Sequence, residues 1–328
     1  MWQLALLAVY LALNMTLTLS NKAIFQRLSA PWLLTALHSA FAAAGCNLLM
    51  WIRGQKFTHL SGRDSLIVVT FSTLFTVNIA VSNVSLAMVS VPFHQTMRSL
   101  GPLFTVMLYW FLYGRHYSVW TQAALVPIVL GVCMLTYGDY EYDAAGFLLT
   151  ILGVFLASLK TVATNRILTG SRALDPVEVL ARMSPLAALQ SAMIGLAVGE
   201  QADVIRMVEG WDLSRGILSG IVANSMLALL LNICSFNVNK LAGALAQTVS
   251  GNVKQCLTVL LAIPMFGVQI GRIDGLGMIA SLAGAAWFSC VELLLLRSLC
   301  SPRRSGTSPS RLHTPEMSIR PQATRPEK

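Results

Sequence analysis

The sequence predicts an all-α, polytopic membrane protein of ten transmembrane helices, arranged as a 5+5 inverted repeat. Three observations carry the prediction. Of 328 residues, 55% are hydrophobic and 11% charged, under half the ~25% charge of a soluble domain. Charge-poor runs of roughly 20 residues, the length that crosses a hydrocarbon core, recur along the chain. They divide as five and five, and two related halves with an odd number of spans must insert in opposite senses. Composition also excludes function classes. Nine of the 37 charges lie beyond Leu296, which leaves too few to coat a soluble enzyme. The basic residues are not gathered on one face, as a nucleic-acid binder requires.

The runs fall at 1–21, 31–52, 65–88, 92–113 and 119–138, then at 144–165, 180–199, 216–236, 243–265 and 275–296. The first has no basic leader and no small-residue cleavage site, so it is expected to stay as a span rather than act as a signal peptide. Residues 65–113 are too long for one crossing, and Ser90-Val91-Pro92 offers a turn with proline at a helix start. The loop Asp139-Tyr140-Glu141-Tyr142-Asp143 separates the halves, and its tyrosines read as interface anchors rather than part of a metal site. Residues 1–297 therefore form the ten-helix domain, with repeats over 1–138 and 144–296. Residues 298–328 hold five of the chain's 12 prolines and read as a disordered, basic, cytosolic tail. The six cysteines show no metal or disulfide spacing and read as apolar fillers.

Lys and Arg set orientation. With the tail in the cytosol, that side also holds Arg53, Lys56, Arg63, Arg115, Arg166, Arg172, Arg182 and Lys240. The opposite side holds Lys22, Arg27, Arg206, Arg215 and Arg272. Both termini are expected in the cytosol.

Three cations lie well inside the runs: Arg98 in the fourth, Lys160 in the sixth and Lys254 in the ninth. A charge at the centre of a span costs about 2.5–3.5 kcal/mol on insertion scales. No Asp or Glu stands near the middle of any run to offset it. Such cations imply an anion that comes and goes, although Lys160 is near enough to a helix end for simple snorkelling. Arg98 and Lys254 occupy corresponding spans of the two halves. Ser82, His94, Asn252 and Gln255 are candidates to line a wet cavity with them. His94, four residues before Arg98 on the same helix face, is open between pocket and packing, and His38 reads as packing. No nucleophile–base pair, phosphate-cradling glycine loop or zinc spacing occurs.

The segments VSVPFHQTMRSLGPLFTV (89–106), GFLLTILGVFLASLKTVATNRILTG (146–170), RMSPLAALQS (182–191) and SGNVKQCLTVLLAIPMFG (250–267) resemble the triose-phosphate-translocator and nucleotide-sugar-transporter family of the drug/metabolite transporter superfamily, with fungal members nearest in look. The resemblance covers residues 1–297. It implies ten-helix antiporters that exchange phosphorylated solutes, with a phosphate pocket built from the cations at Arg98, Lys254 and Lys160. Plastid triose-phosphate translocators carry arginine where Gln255 stands and lysine where Arg98 stands. GDP-mannose transporters carry Gly-Ala-Leu-Asn-Lys, where this chain has Gly243-Ala244-Leu245-Ala246-Gln247. The resulting expectation is a transporter, not an enzyme: an antiporter of a nucleotide sugar for a nucleoside monophosphate in a Golgi or endoplasmic-reticulum membrane. The alternatives are sugar-phosphate/phosphate exchange of the triose-phosphate type, or a non-transporting trafficking factor. Expected partners are the phosphorylated small-molecule substrate, the lipid bilayer and a second copy in a homodimer, with no nucleic acid, metal or cofactor.

Overall fold

The computed structural model describes residues 2–25, 28, 30–138, 144–170, 173–209, 215–266 and 271–300. The acidic loop 139–143 and the tail from 301 lie outside the described residues. Those described form eleven helices and no strand: α1 (Trp2–Phe25), α2 (Pro31–Ile52), α3 (Gly62–Met88), α4 (Val91–Arg98), α5 (Gly101–Tyr113), α6 (Val119–Gly138), α7 (Ala144–Thr169), α8 (Pro176–Val198), α9 (Gln201–Glu209), α10 (Arg215–Phe266) and α11 (Arg272–Cys300). Five stretches are long and apolar enough to cross a membrane: Pro31–Ile52, Gly62–Leu86, Ala144–Thr169, Pro176–Val198 and Leu218–Thr248. The chain is a polytopic, all-helical membrane protein.

Local chemistry sets the helix ends. Ser61 and Asp64 cap α3 reciprocally, side chain to backbone in both directions. Ser90 accepts from the Phe93 N–H and Pro92 sits in the first turn of α4, so the chain breaks between α3 and α4. Asp175 caps α8 through the Val177 N–H, with Pro176 following. This starts α8 four residues before the expected run at 180, and it draws Glu178 into the helix.

Three features were not expected. The fourth run is two helices, because Pro102 has no N–H to return to the Arg98 carbonyl four residues back. The short α9 follows α8. The eighth and ninth runs are joined in α10 across Gly243, whose φ of 89° and ψ of 166° are not helical. Gln247 Nε2 donates to Ser235 Oγ, although 12 residues of straight helix would separate the two by about 18 Å. The chain therefore folds back at Gly243, and α10 is a pair of arms.

The most extensive packing is α6 along α11 and α2 along α8, followed by α3 on α7 and α1 on α10. Small residues bring α6 and α11 into backbone contact: a Cβ on Gly131 would overlap the Ser281 nitrogen, and one on Gly284 would lie 2.8 Å from the Ile128 nitrogen. The α2–α8 pair is clamped at both ends by carboxylates. Beyond the end of α8, Glu200 accepts from the Trp32 and Leu33 N–H groups at 3.0 and 2.8 Å, capping an α2 N-terminus whose N-cap residue, Ala30, has no side chain to do so. At the start of α8, Glu178 accepts from the Thr58 N–H and hydroxyl beyond the end of α2 and pairs with Arg182 at 2.7 Å. The two helices thus run antiparallel.

With α4 and α5 counted as one segment, the arms of α10 as two and the short α9 set aside, the described helical segments are numbered in chain order. A shift of five then maps the pairing of α3 with α7 onto that of α10 with α1, and α3 with α8 onto α10 with α2. The α2–α8 and α6–α11 pairs map onto themselves.

Gly131→Val is expected to lower the melting temperature in detergent sharply, since overpacking costs about 1–3 kcal/mol and the atoms in the way are backbone. Gly220→Ala, whose new methyl would meet nothing within 4 Å, serves as the control. Differential scanning fluorimetry of the two purified variants should give a large loss for the first and no loss for the second.

Candidate functional site

A cavity of about 300 Å³ lies between α1, α3, α4 and α5, α7 and both arms of α10. Numbered by helical segment, its wall comes from the first, third, fourth, sixth, eighth and ninth, a set that a shift of five maps onto itself. Among the described residues, the α2–α8 and α6–α11 pairs add nothing to it.

Two of the three expected cations are on the wall. Arg98 closes α4, where the Pro102 break falls, and its Nη1 donates to Ser82 Oγ at 2.9 Å. Lys160 on α7 stands with its Nζ 5.0 Å from the Phe75 ring centre, a cation–π contact. Lys254 is half-buried and outside the lining set, but Asn252 and Gln255 around it are on the wall. Arg98 lies within electrostatic range of both lysines. Among the described residues no carboxylate lines the cavity.

The other expected site residues divide by position. Asn252 is 1% exposed, and neither atom of its amide has a protein partner among the described residues; the same is true of Gln255 Oε1. Ser82 is not on the wall and acts through Arg98. His94 is buried behind the wall with Nε2 3.2 Å from Ser85 Oγ. Ser82 and Ser85 are one turn apart on α3, and His94 and Arg98 one turn apart on α4, so the same helix docking engages both pairs. His38 bonds through Nε2 to Asn224 Oδ1, and the Asn224 amide donates to Ser20 and Asn21, which joins α1, α2 and α10.

Sequence reasoning missed the contribution of α1. Tyr10 and Asn14 both line the cavity, with the Tyr10 hydroxyl set among Asn14, Ser235 and Gln247. They are polar neighbours at i and i+4 in an apolar run, a signal that could have found them. The phenyl groups of Phe71, Phe75 and Phe236 complete an aromatic wall, and such rings cannot be told from ordinary lipid-facing residues by composition.

A hydrogen-bond chain backs the wall near the Gly243 bend. The Tyr109 hydroxyl donates to Asn165 Oδ1 at 3.0 Å, Asn165 Nδ2 to the Asn239 carbonyl at 2.9 Å, and Asn239 Nδ2 to the Thr161 carbonyl at 3.0 Å and to Gln247. It ties α5, α7 and both arms together. Outside it, Arg115 lies over Tyr109 and Tyr117, and Arg166 lies over Tyr113 at 3.6 Å.

A wall that holds cations and, among the described residues, no carboxylate suits an anion. The sequence profile of the Triose-phosphate Transporter family matches residues 2–289. This chain belongs to that family. It is a transporter and not an enzyme. UDP-galactose transporter 1 of Arabidopsis thaliana is 26% identical over 286 residues, covering 86% of this chain and 84% of the relative. A probable sugar phosphate/phosphate translocator of the same plant is 26% identical, covering 87% and 94%. A solved crystal structure shares the fold with a TM-score of 0.60 at 17% identity, over 90% of this chain and 98% of that one.

In this transporter the bend at Gly243 is a backbone requirement, since a Cβ there would meet nothing within 4 Å while φ is 89°. Gly243→Ala should destabilise the protein by about 1–3 kcal/mol through backbone strain alone. The check is the shift in thermal midpoint in detergent relative to wild type.

Proposed function

We propose that this chain is a secondary-active antiporter that exchanges a nucleotide sugar for a nucleoside monophosphate across a Golgi or endoplasmic-reticulum membrane. The observation that carries the reading is that Arg98 and Lys160 share a wall with no carboxylate among its described residues, with Lys254 in range. Like charges held close in a poorly screened setting repel, and closing the protein around them unpaired is costly. A bound phosphate offsets that charge and bridges helices of both halves, so the loaded carrier changes sides and the empty one does not. That is obligatory exchange.

Ten crossings, both termini in the cytosol and two halves related by inversion suit this mechanism. The support for inversion is the four most extensive helix pairings and the cavity wall, each set mapped onto itself by a shift of five spans. In this reading Arg98, Lys254 and Lys160 hold the phosphate, Asn252 and Gln255 meet the rest of the ligand, and Ser82 and His94 fix α4 against α3. Relatives include both a UDP-galactose transporter and a probable sugar phosphate/phosphate translocator. The nucleotide-sugar assignment is favoured by Gln255, which puts a neutral carboxamide where a second cation would serve a compact triose phosphate. The carboxamides of Asn14, Asn232, Gln247 and Asn252 enrich the same wall.

The test is counter-exchange in proteoliposomes preloaded with nucleoside monophosphates, inorganic phosphate or buffer. Nucleotide sugars should enter only vesicles holding a nucleoside monophosphate. Lys254→Gln and Arg98→Gln should each cut exchange about 30-fold or more, following the roughly 2–5 kcal/mol lost when one partner of a buried charge pair is removed, with melting behaviour retained. Arg98→Lys should keep part of the rate. A wild-type rate in Lys254→Gln would remove the phosphate pocket, and brisk uptake into empty vesicles would remove the coupling.

A further inference from the structure

Asn252 and Gln255 are three residues apart on one face of the second arm of α10, and both are on the cavity wall. Asn252 is 1% exposed. Its Oδ1 and Nδ2 both lack a protein hydrogen-bond partner among the described residues, as does Gln255 Oε1. Buried polar groups are paired in the great majority of cases, so three orphaned atoms on one wall mark a place where a ligand supplies the partners.

Their chemistry restricts that ligand. Asn252 Oδ1 and Gln255 Oε1 can only accept, and the oxygens of an ionised phosphate can only accept as well. The phosphate that suits Arg98 and Lys160 therefore leaves these two oxygens unsatisfied. They need N–H or O–H groups on the neutral part of the substrate. The Asn252 amide presents one donor side and one acceptor side, the complement of an adjacent N–H and C=O or N–H and ring nitrogen. Nucleobases carry such edges. The Phe71 and Phe236 rings on the same wall, 6.4 Å apart and edge-to-face, supply apolar surface for a flat ring.

Hydroxyls of a transported sugar could also donate, but exchange argues against them. A nucleoside monophosphate returning through the pocket has no such sugar, and would leave the amide orphaned on every return leg. The nucleoside and its α-phosphate are common to both directions; of these only the ribose and the base carry donors, and the base alone offers the adjacent donor and acceptor that the amide complements.

We propose that Asn252 and Gln255 read the nucleobase of the substrate and set the preference for nucleotides over other phosphorylated solutes. The assignment rests on the antiporter reading above and names the part of the ligand that this face of the pocket recognises.

The experiment measures binding of UMP, GMP, CMP, AMP, UDP-galactose and ribose 5-phosphate to the purified full chain by ligand-induced thermal stabilisation. Wild type should bind its best nucleoside monophosphate at least about tenfold more tightly than ribose 5-phosphate. Asn252→Leu, which keeps the side-chain volume and removes both polar ends, should weaken that monophosphate about 10- to 100-fold. Ribose 5-phosphate affinity should change less than about threefold. Gln255→Met should act in the same direction with a smaller effect. Without ligand, Asn252→Leu should melt at or above the wild-type temperature, because an unpartnered buried amide contributes nothing to the empty fold.

Equal losses for ribose 5-phosphate and the monophosphate, or no loss in either variant, would overturn the assignment. So would weakened UDP-galactose binding with nucleoside monophosphates unaffected, which would place the sugar there instead. A melting temperature well below wild type for both variants would show a structural role and overturn it too. If wild type binds none of these phosphates, it is the antiporter reading itself that fails.

Discussion

A cation taken out of water and given no counter-charge is unstable by several kcal/mol. The cavity of this transporter family member nevertheless holds a guanidinium and an ammonium on a wall that, among the described residues, has no carboxylate. Much of the surrounding structure can be understood from how those groups are tolerated. Arg98 has a hydroxyl to donate to in Ser82 and sits where Pro102 interrupts the helix. Lys160 has the face of Phe75. These partners reduce the cost of burial but leave the net charge in place. That residual charge is what an anionic solute can use, and it ties binding to movement in the proposed mechanism.

The frame that holds those groups apart uses different physics. Water contributes nothing inside a bilayer, so helices associate through close packing and internal hydrogen bonds. Gly131, Gly277, Ser281 and Gly284 let α6 and α11 meet at their backbones. Glu178 and Glu200 clamp the two ends of the α2–α8 pair. These carboxylates sit at helix ends, where backbone N–H groups can satisfy them, rather than beside the cations they would neutralise. The charge pattern thus places anions in the frame and cations in the cavity.

The helices themselves were legible in the chain, because a run of apolar residues long enough to cross a bilayer has few alternatives. The proline near the start of α4 and the charges between runs marked most breaks. The α8 start falls four residues before the expected run because Glu178 lies inside the helix, paired there with Arg182. Within the fold they neutralise one another and reach Thr58 across 120 residues. The bend in α10 was visible only as a gap between runs, whereas its sharpness comes from the positive φ of Gly243 and the Asn239–Gln247–Ser235 bonds across it.

Arg98, Lys160 and Lys254 stood out from sequence alone, since an ionisable group in an apolar run is conspicuous whatever surrounds it. Asn252 and Gln255 were legible only as polar residues, indistinguishable from those that bond to neighbouring helices. Tertiary structure decided which amides are spent on the fold and which are left over. Asn165, Asn239 and Gln247 are joined in a chain of hydrogen bonds that leaves Asn239 Oδ1 over, while Asn252 faces the cavity with both polar atoms unused. Composition and charge placement determined the membrane, the helices and the positions of the buried cations, because those depend on transfer energies that each residue carries by itself. Which side chains meet across the cavity depends on helix rotation and depth. Those are set by packing between residues far apart in the chain, which no local pattern encodes.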